Sequence, residues 1–220
     1  MKVELHSLYW KNTSEIQESH KKVMEHFEIP VNYHCVDGAD HGTFCDHIMN
    51  DCQSEICGII DIDCIPTNKE AIPKMIDWVV KNGSFIGLAQ TANHIQPRTH
   101  ISAVVTCSFI SKNFYNQIGR PSFKPNYRSD VSEELSYRAD ELGITYRAIY
   151  PRRYEKDATE GRWRLNNYGY FGIGTYYDIG IYHLYQSRMR ENVELFHKRC
   201  NEVINGTFNP NELQFSCTEL

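Results

Sequence analysis

The chain has 220 residues, 41% of them hydrophobic and 23% charged, with a formal net charge of −5. That length can bury a substantial core as one domain, and the composition is that of a folded, soluble protein. The acidic balance argues against a nucleic-acid binder, which usually presents a basic face, and no apolar run reaches the length of a bilayer span.

The opening residues, MKVELHSLYWKNTSE, lack the apolar core of a secretory leader and read as a first strand over 3–9. Thr13 or Ser14 can cap a helix running to about 27, with Ile16, Val23, Met24 and Phe27 as its apolar stripe. A second strand over 31–36 follows Pro30, and strand, helix, strand in this order predicts an α/β sheet. Residues 37–43, DGADHGT, form a polar loop whose two glycines permit tight turns, and Thr43 or Asp46 opens a short helix through 49.

The central stretch is CGIIDIDCIP, residues 57–66. A small, apolar run ending in acids is the expected form of a buried strand that delivers ligands at its C-terminal edge, where open α/β sheets bind their substrates. Alternation puts Asp61 and Asp63 on one side, with Ile62 opposite, and Pro66 is expected to stop further sheet pairing. Two converging carboxylates repel unless a cation, a proton or a basic side chain compensates. A hard divalent ion such as Mg2+ or Mn2+, shared with phosphate oxygens, meets that need, and a solvated turn after a core strand is the plainer alternative.

A helix over 69–81 comes next, ended by Asn82-Gly83, then a strand over 84–89 and a rim loop over 91–100. Residues 101–110 read as a strand whose Ser102, Thr106 and Ser108 suit an edge or a substrate-facing position. A short helix over 113–118 follows. Ser132 is a candidate cap for a helix through 142, with Glu133 and Glu134 at its positive end. After a strand over 144–150, residues 151–164 form a mixed-charge segment, 168–177 an aromatic and glycine-rich one, and 193–203 a last helix. The polar residues from 205 onward are expected to attach loosely.

The cysteines are Cys35, Cys45, Cys52, Cys57, Cys64, Cys107, Cys200 and Cys217. None forms a CxxC pair, which argues against a zinc ribbon. Cys57 and Cys107 fall in apolar runs and read as core thiols, so a reducing, cytoplasmic location is expected.

The IIDIDCIP segment, the α/β half before it and the late IYHLYQSR segment carrying His183 together resemble the GT-A superfamily of nucleotide-sugar glycosyltransferases, over roughly 3–190. The resemblance implies an α/β fold, a single domain over 1–204 with a mixed central sheet flanked by helices, and a polar tail over 205–220. Its nucleotide-binding half would be about 1–110 and its acceptor-binding half about 111–204. Asp61, Asp63 and His183 would hold Mn2+ or Mg2+ against the diphosphate of a nucleotide-sugar donor, with a UDP-sugar favoured, and Arg188 would bond to phosphate. His41 in the DGADHGT loop would approach the donor. Asp130, just before the 132–142 helix, would be the base that deprotonates a glycan or other hydroxyl acceptor. Trp163 and His94 would contact that acceptor. The family's paired acidic signature around the base is reproduced poorly here. Nucleotidylyl transfer to a sugar phosphate, or a noncatalytic glycan- or protein-binding role, are the competing classes. Against the first of these, no glycine-rich, basic phosphate loop follows the first strand.

Overall fold

In a computed structural model, residues 1–36, 38, 40–92, 100–187 and 189–218 are described. The first half alternates β1 (Val3–Tyr9), α1 (Ser14–His26), β2 (Asn32–Cys35), α2 (His41–Asp51), β3 (Ile56–Ile60), β4 (Cys64–Pro66), α3 (Ala71–Asn82), β5 (Phe85–Gln90) and β6 (Ser102–Ser111). The second half holds α4 (Lys112–Gln117), α5 (Glu133–Glu141), β7 (Arg147–Ile149), β8 (Pro151–Tyr154), β9 (Trp163–Leu165), β10 (Gly169–Phe171), β11 (Thr175–Tyr177) and β12 (Ile181–His183). α6 (Arg190–Ile204) and β13 (Phe215–Ser216) complete the chain.

The six-stranded main sheet has the order β2-β1-β3-β6-β5-β7. It is mixed: β1 runs parallel to β2 and β3, β6 runs antiparallel to β3 and β5, and β7 is parallel to β5. Every residue of β3 is buried, which is why its sequence is continuously apolar instead of alternating. The helices cover both faces. α3 contributes Ile72, Met75 and Val79 to one layer with Ile60, Ile86 and Phe109. α2, α4 and α5 contribute Ile48, Phe114 and Leu135 to the other, with Cys57, Ile59 and Val105. The expected α/β domain with a mixed central sheet flanked by helices is thus observed.

Local chemistry sets the helix ends. Asp40 caps α2, accepting from the Thr43 amide at 2.9 Å, so this helix begins earlier than Thr43. Gly83 closes α3 in the left-handed conformation at φ 66°, which carries no Cβ penalty there.

A second, antiparallel sheet has the order β13-β8-β11-β12-β4. Here the structure corrects an expectation: Pro66 does not end pairing, because Cys64–Pro66 is itself a strand against β12, with His183 opposite Cys64. Proline is tolerated on β4 because it is an edge strand. The mixed-charge segment 151–164 supplies β8, and its last two residues begin β9, which forms a separate two-stranded ribbon with β10. The residues after Asn205 do not trail loosely: Phe215 and Ser216 pair with β8, and Leu213 and Cys217 are buried. α1 and α6 pack together over this region through Ile16, Val23, Val193, Phe196 and Val203. Arg199 of α6 clamps Glu155 at 2.6 and 2.8 Å, and the Tyr182 hydroxyl donates to the same carboxylate at 2.6 Å.

β6 is an interior strand, buried throughout, and not an edge. Its partner β3 stops at Ile60, after which the Asp61 amide still donates to the Thr106 carbonyl at 2.9 Å. Beyond that point side chains of α5 and its approach replace the ladder. Ser132 Oγ accepts from the Val105 amide at 3.2 Å and Ser136 Oγ from the Ala103 amide at 3.1 Å. Ser132 is therefore not the side-chain cap its position suggests, since its hydroxyl serves β6.

Candidate metal and substrate site

β3 ends at Ile60 and the chain turns at once, the Cys64 amide donating to the Asp61 carbonyl at 3.0 Å. The turn, rather than strand alternation, brings the Asp61 and Asp63 carboxylates to one side while Ile62 is buried behind them. Strand β12 lies against β4 and delivers His183, whose Nε2 stands 3.3 Å from Asp63 Oδ1. One ligand atom from each of Asp61, Asp63 and His183 falls within 4.8 Å of the others. These residues form a candidate divalent-metal cluster. His183 Nδ1 is buried without a hydrogen-bond partner, and two carboxylates with an imidazole are a donor set that suits a hard divalent cation. The residues fit such an ion.

The electrostatics agree with a charged Asp63 here. Burial works against the charge on Asp63, but His183 and the Ser187 hydroxyl beside it hold its carboxyl below the usual range. His41, in the first turn of α2, approaches Asp61 Oδ1 at 3.2 Å. Burial lowers the His41 imidazole, and Asp61 and Cys45 overcome that and raise it well above its ordinary value.

Two hollows meet at this point. A cleft of about 470 Å³ is lined by Trp10, Thr13, His41, Asp61, Asp63 and Ser187 among others. A smaller hollow of about 110 Å³ shares His41 and Asp61 and adds Gln90, Thr91, Thr106 and Asp130. Asp130 reaches it because its loop precedes α5, the helix that takes over the exposed ladder of β6. Its amide donates to Glu133 Oε2 at 2.8 Å and its own Oδ1 accepts from the Val131 amide at 2.7 Å.

Asp61, Asp63, His41 and Asp130 thus line the two hollows, and His183 stands behind Asp63. Trp163 is elsewhere. It is 5% exposed, its ring packs on Phe171 and Tyr185 at centroid distances of 5.4 and 5.2 Å, and it lines neither hollow. A ring already covered this way has no open face for a sugar. His100 is engaged by Glu133 at 2.7 Å and Asp140 at 3.3 Å and stacks on Tyr137. His94 and Arg188 lie outside the described residues.

Tyr185 was not legible as a site residue. Its ring lies 3.7 Å from the His183 ring, and its hydroxyl meets Tyr177 Oη at 2.7 Å and donates to Gln90 Oε1 at 3.3 Å. It has φ 52°, as does Gln186, an uncommon backbone for a bulky side chain and a form of strain that gathers at functional sites. Trp10 and Thr13, just past β1, also line the larger cleft without any motif to announce them.

No protein-family model matches the chain, and no curated protein matches it in sequence. Solved structures match it in fold. A putative glucose-1-phosphate thymidylyltransferase from Bacillus anthracis, in complex with a sucrose, gives a TM-score of 0.51 at 9% identity, over 93% of this chain and 99% of that one. The mannosyltransferase PcManGT from Pyrobaculum calidifontis, in complex with GDP-Man and Mn2+, gives 0.49 at 8% identity. That match covers 66% of this chain and 54% of the mannosyltransferase, about half its length. A glycosyltransferase involved in the glycosylation of the major capsid of PBCV-1 gives 0.41 at 12% identity, over 68% of this chain and 82% of that one. At 9% identity the likeness to the putative thymidylyltransferase is one of fold alone, an α/β architecture shared over nearly the whole of both chains.

Proposed function

We propose that the protein transfers a sugar from a nucleoside-diphosphate sugar to a hydroxyl acceptor, in a reaction that requires Mn2+ or Mg2+. The observation that carries this reading is the convergence of Asp61, Asp63 and His183, with both aspartates lining the larger cleft. Asp63 and His183 would be direct ligands, with Asp61 a third ligand or a contact to the ribose. When bound, the ion would neutralise charge on the departing diphosphate. We assign the donor to the cleft between Trp10, Thr13 and Asp63, with a nucleotide-binding half over about 1–110 and with Gln186, Ser187 and Met189 also lining the cleft. His41, cationic beside Asp61, would add a positive contact at the start of α2.

Asp130 faces the smaller hollow on the other side of Asp61, and we assign it the acceptor's proton. Thr91 and Thr106 in the same hollow offer hydroxyl contacts to that acceptor, which belongs to the half from about 111 to 204 together with this rim.

A second reading is nucleotidylyl transfer to a sugar phosphate, favoured by the similarity over nearly the whole of both chains to the putative thymidylyltransferase. Against it, β1 runs into Trp10-Lys11-Asn12-Thr13, which has no glycine to let a triphosphate approach the backbone. The two readings release different products. Incubation with a panel of nucleotide-sugars, with and without Mn2+, should give metal-dependent nucleoside diphosphate from one donor. Pyrophosphate from a nucleoside triphosphate and a sugar phosphate would establish the second reading instead. Folded, metal-competent protein that recognises no donor would defeat the first.

A further inference from the structure

A separate cluster lies at the opposite end of β3. One ligand atom from each of His6, Cys52 and Cys57 falls within 4.8 Å of the others, and all three residues are buried. They come from three elements: His6 from the middle of β1, Cys52 from the residue that closes α2, and Cys57 from the start of β3. We propose that His6, Cys52 and Cys57 form a binding site for a borderline-soft divalent cation of the zinc class, with Glu4 as fourth ligand.

Four observations support the assignment. His6 Nδ1 lies 3.1 Å from His34 Nε2, while His6 Nε2 is buried and has no hydrogen-bond partner. With Nδ1 donating to His34, Nε2 presents a lone pair to the cluster, the arrangement in which a second group orients a metal-ligating imidazole. Glu4 pairs in register with Cys57 across β1 and β3, and its Oε2 stands 3.6 Å from Cys52 Sγ and 3.6 Å from His6 Nε2. Nitrogen, oxygen and sulfur ligands 2.0–2.3 Å from a tetrahedral zinc ion stand about 3.3–3.8 Å apart, so these two edges already have the required length. The other oxygen, Oε1, is held by Lys2 at 2.7 Å, leaving Oε2 to the cluster.

A hollow of about 430 Å³ bounded by Glu4, His6, His34, Asp51 and Cys52 gives the cation a way in. A thiol and imidazole set of this kind selects against Mg2+ and Mn2+, so the cluster is chemically distinct from the carboxylate site.

Cobalt reports the difference. The full chain, kept reduced, is titrated with Co2+, and one equivalent should bind with strong thiolate-to-cobalt charge-transfer absorption. Zn2+ should displace it and slow alkylation of Cys52 and Cys57 in the unmutated protein at least tenfold (about 10-fold or more), read residue by residue by mass spectrometry. Cys57→Ser and Cys52→Ser should lose the band, Cys200→Ala should keep it, and His34→Phe should weaken cobalt binding about 10–100-fold. Cobalt bound only without the thiolate band, a band that survives in Cys52→Ser, or unchanged alkylation with Zn2+ would each overturn the proposal. So would a Cys52–Cys57 disulfide forming on oxidation in a chain whose reduced form takes up no cobalt. The alkylation measurement needs no variant, so a substitution that fails to fold does not remove the test.

Discussion

The two ends of β3 carry two chemically different clusters. At the C-terminal end, Asp61 and Asp63, on the wall of an open cleft, meet the buried His183. At the N-terminal end, His6, Cys52 and Cys57 meet under the sheet with all three residues buried. The same two elements reach both places, because α2 runs from His41, beside Asp61, to its closing residue Cys52, beside Cys57. Oxygen ligands at an open mouth suit a hard cation that exchanges and shares its coordination with substrate. Thiols and an imidazole closed off by packing suit an ion that stays. On the proposed readings, one strand would serve turnover at the end where the chain leaves the sheet and cohesion at the end where it enters.

The largest expected effect separates the two ends. Asp63→Ala should lower metal-dependent turnover about 1000-fold or more, measured as nucleoside diphosphate release, and leave the thiolate–cobalt absorption of the other cluster intact. Loss of both signals would break the distinction between them. Asp130→Asn sharpens the open end by itself, with kcat expected to fall about 100–1000-fold while equilibrium donor binding is retained. Preserved turnover would remove Asp130 as the base.

Acid should test the fold behind the carboxylates. His20 of α1 is completely buried, with Nδ1 2.7 Å from the Tyr33 hydroxyl, and burial lowers it to about 4. It stays neutral in the fold, while the unfolded chain takes up its proton below about 6.5. Stability is therefore unaffected by this group above that pH and falls as pH drops from about 6.5 to 4, by about 3 kcal/mol. Urea midpoints across this range should show the fall, and His20→Asn should flatten it; an unchanged slope in that variant would exclude His20 as the source.

Smaller effects concern what joins and trims the two ends. A Cβ at Gly58 would lie 2.6 Å from Phe109 Cε1 and 2.8 Å from Leu5 Cδ1, both buried. Gly58→Ala should cost about 1–3 kcal/mol in denaturant unfolding and disturb both clusters together, since the residue lies between them on β3. Tyr185→Phe should cost only about 1 kcal/mol, by removing the hydroxyl that meets Tyr177 and Gln90. A midpoint equal to that of the unmutated protein would show those bonds to be energetically neutral.

Much of the scaffold was legible in the sequence. β1 has the bounds expected of it, and α1 has its apolar stripe, although the stripe includes buried His20, which composition marks as polar. The acids after the apolar run, with the distant histidine, were also readable as a set. Their geometry was not, because a strand that continues and a strand that turns into another sheet have the same local pattern at DIDCIP. Ser102, Thr106 and Ser108 read as an edge or a substrate-facing position; β6 is interior, with the Gln90 carbonyl taking the Ser102 hydroxyl, while Ser102 and Thr106 do line the smaller hollow. Trp163 read as an acceptor contact, or as packing for its mixed-charge segment, because its neighbours in sequence are charged; its neighbours in space are Phe171 and Tyr185, which is the packing role. The thiol cluster gave no spacing signal. Cys52 and Cys57 are five apart, and the histidine that joins them is brought in only when β1 and β3 pair.

The turn at Asp61 to Asp63 is also a seam. The backbone of Asp61 is fastened to the main sheet through Thr106, and that of Asp63 to the second sheet through Leu184, at 2.9 Å in each case. Only Ile62 stands between the two fastenings. The separation of the two carboxylates is consequently a gauge of the angle between the sheets, and a cation gripped by both would act as a rivet across them. On the proposed reading, loading the cleft with a cation would also tie the two sheets together at this turn.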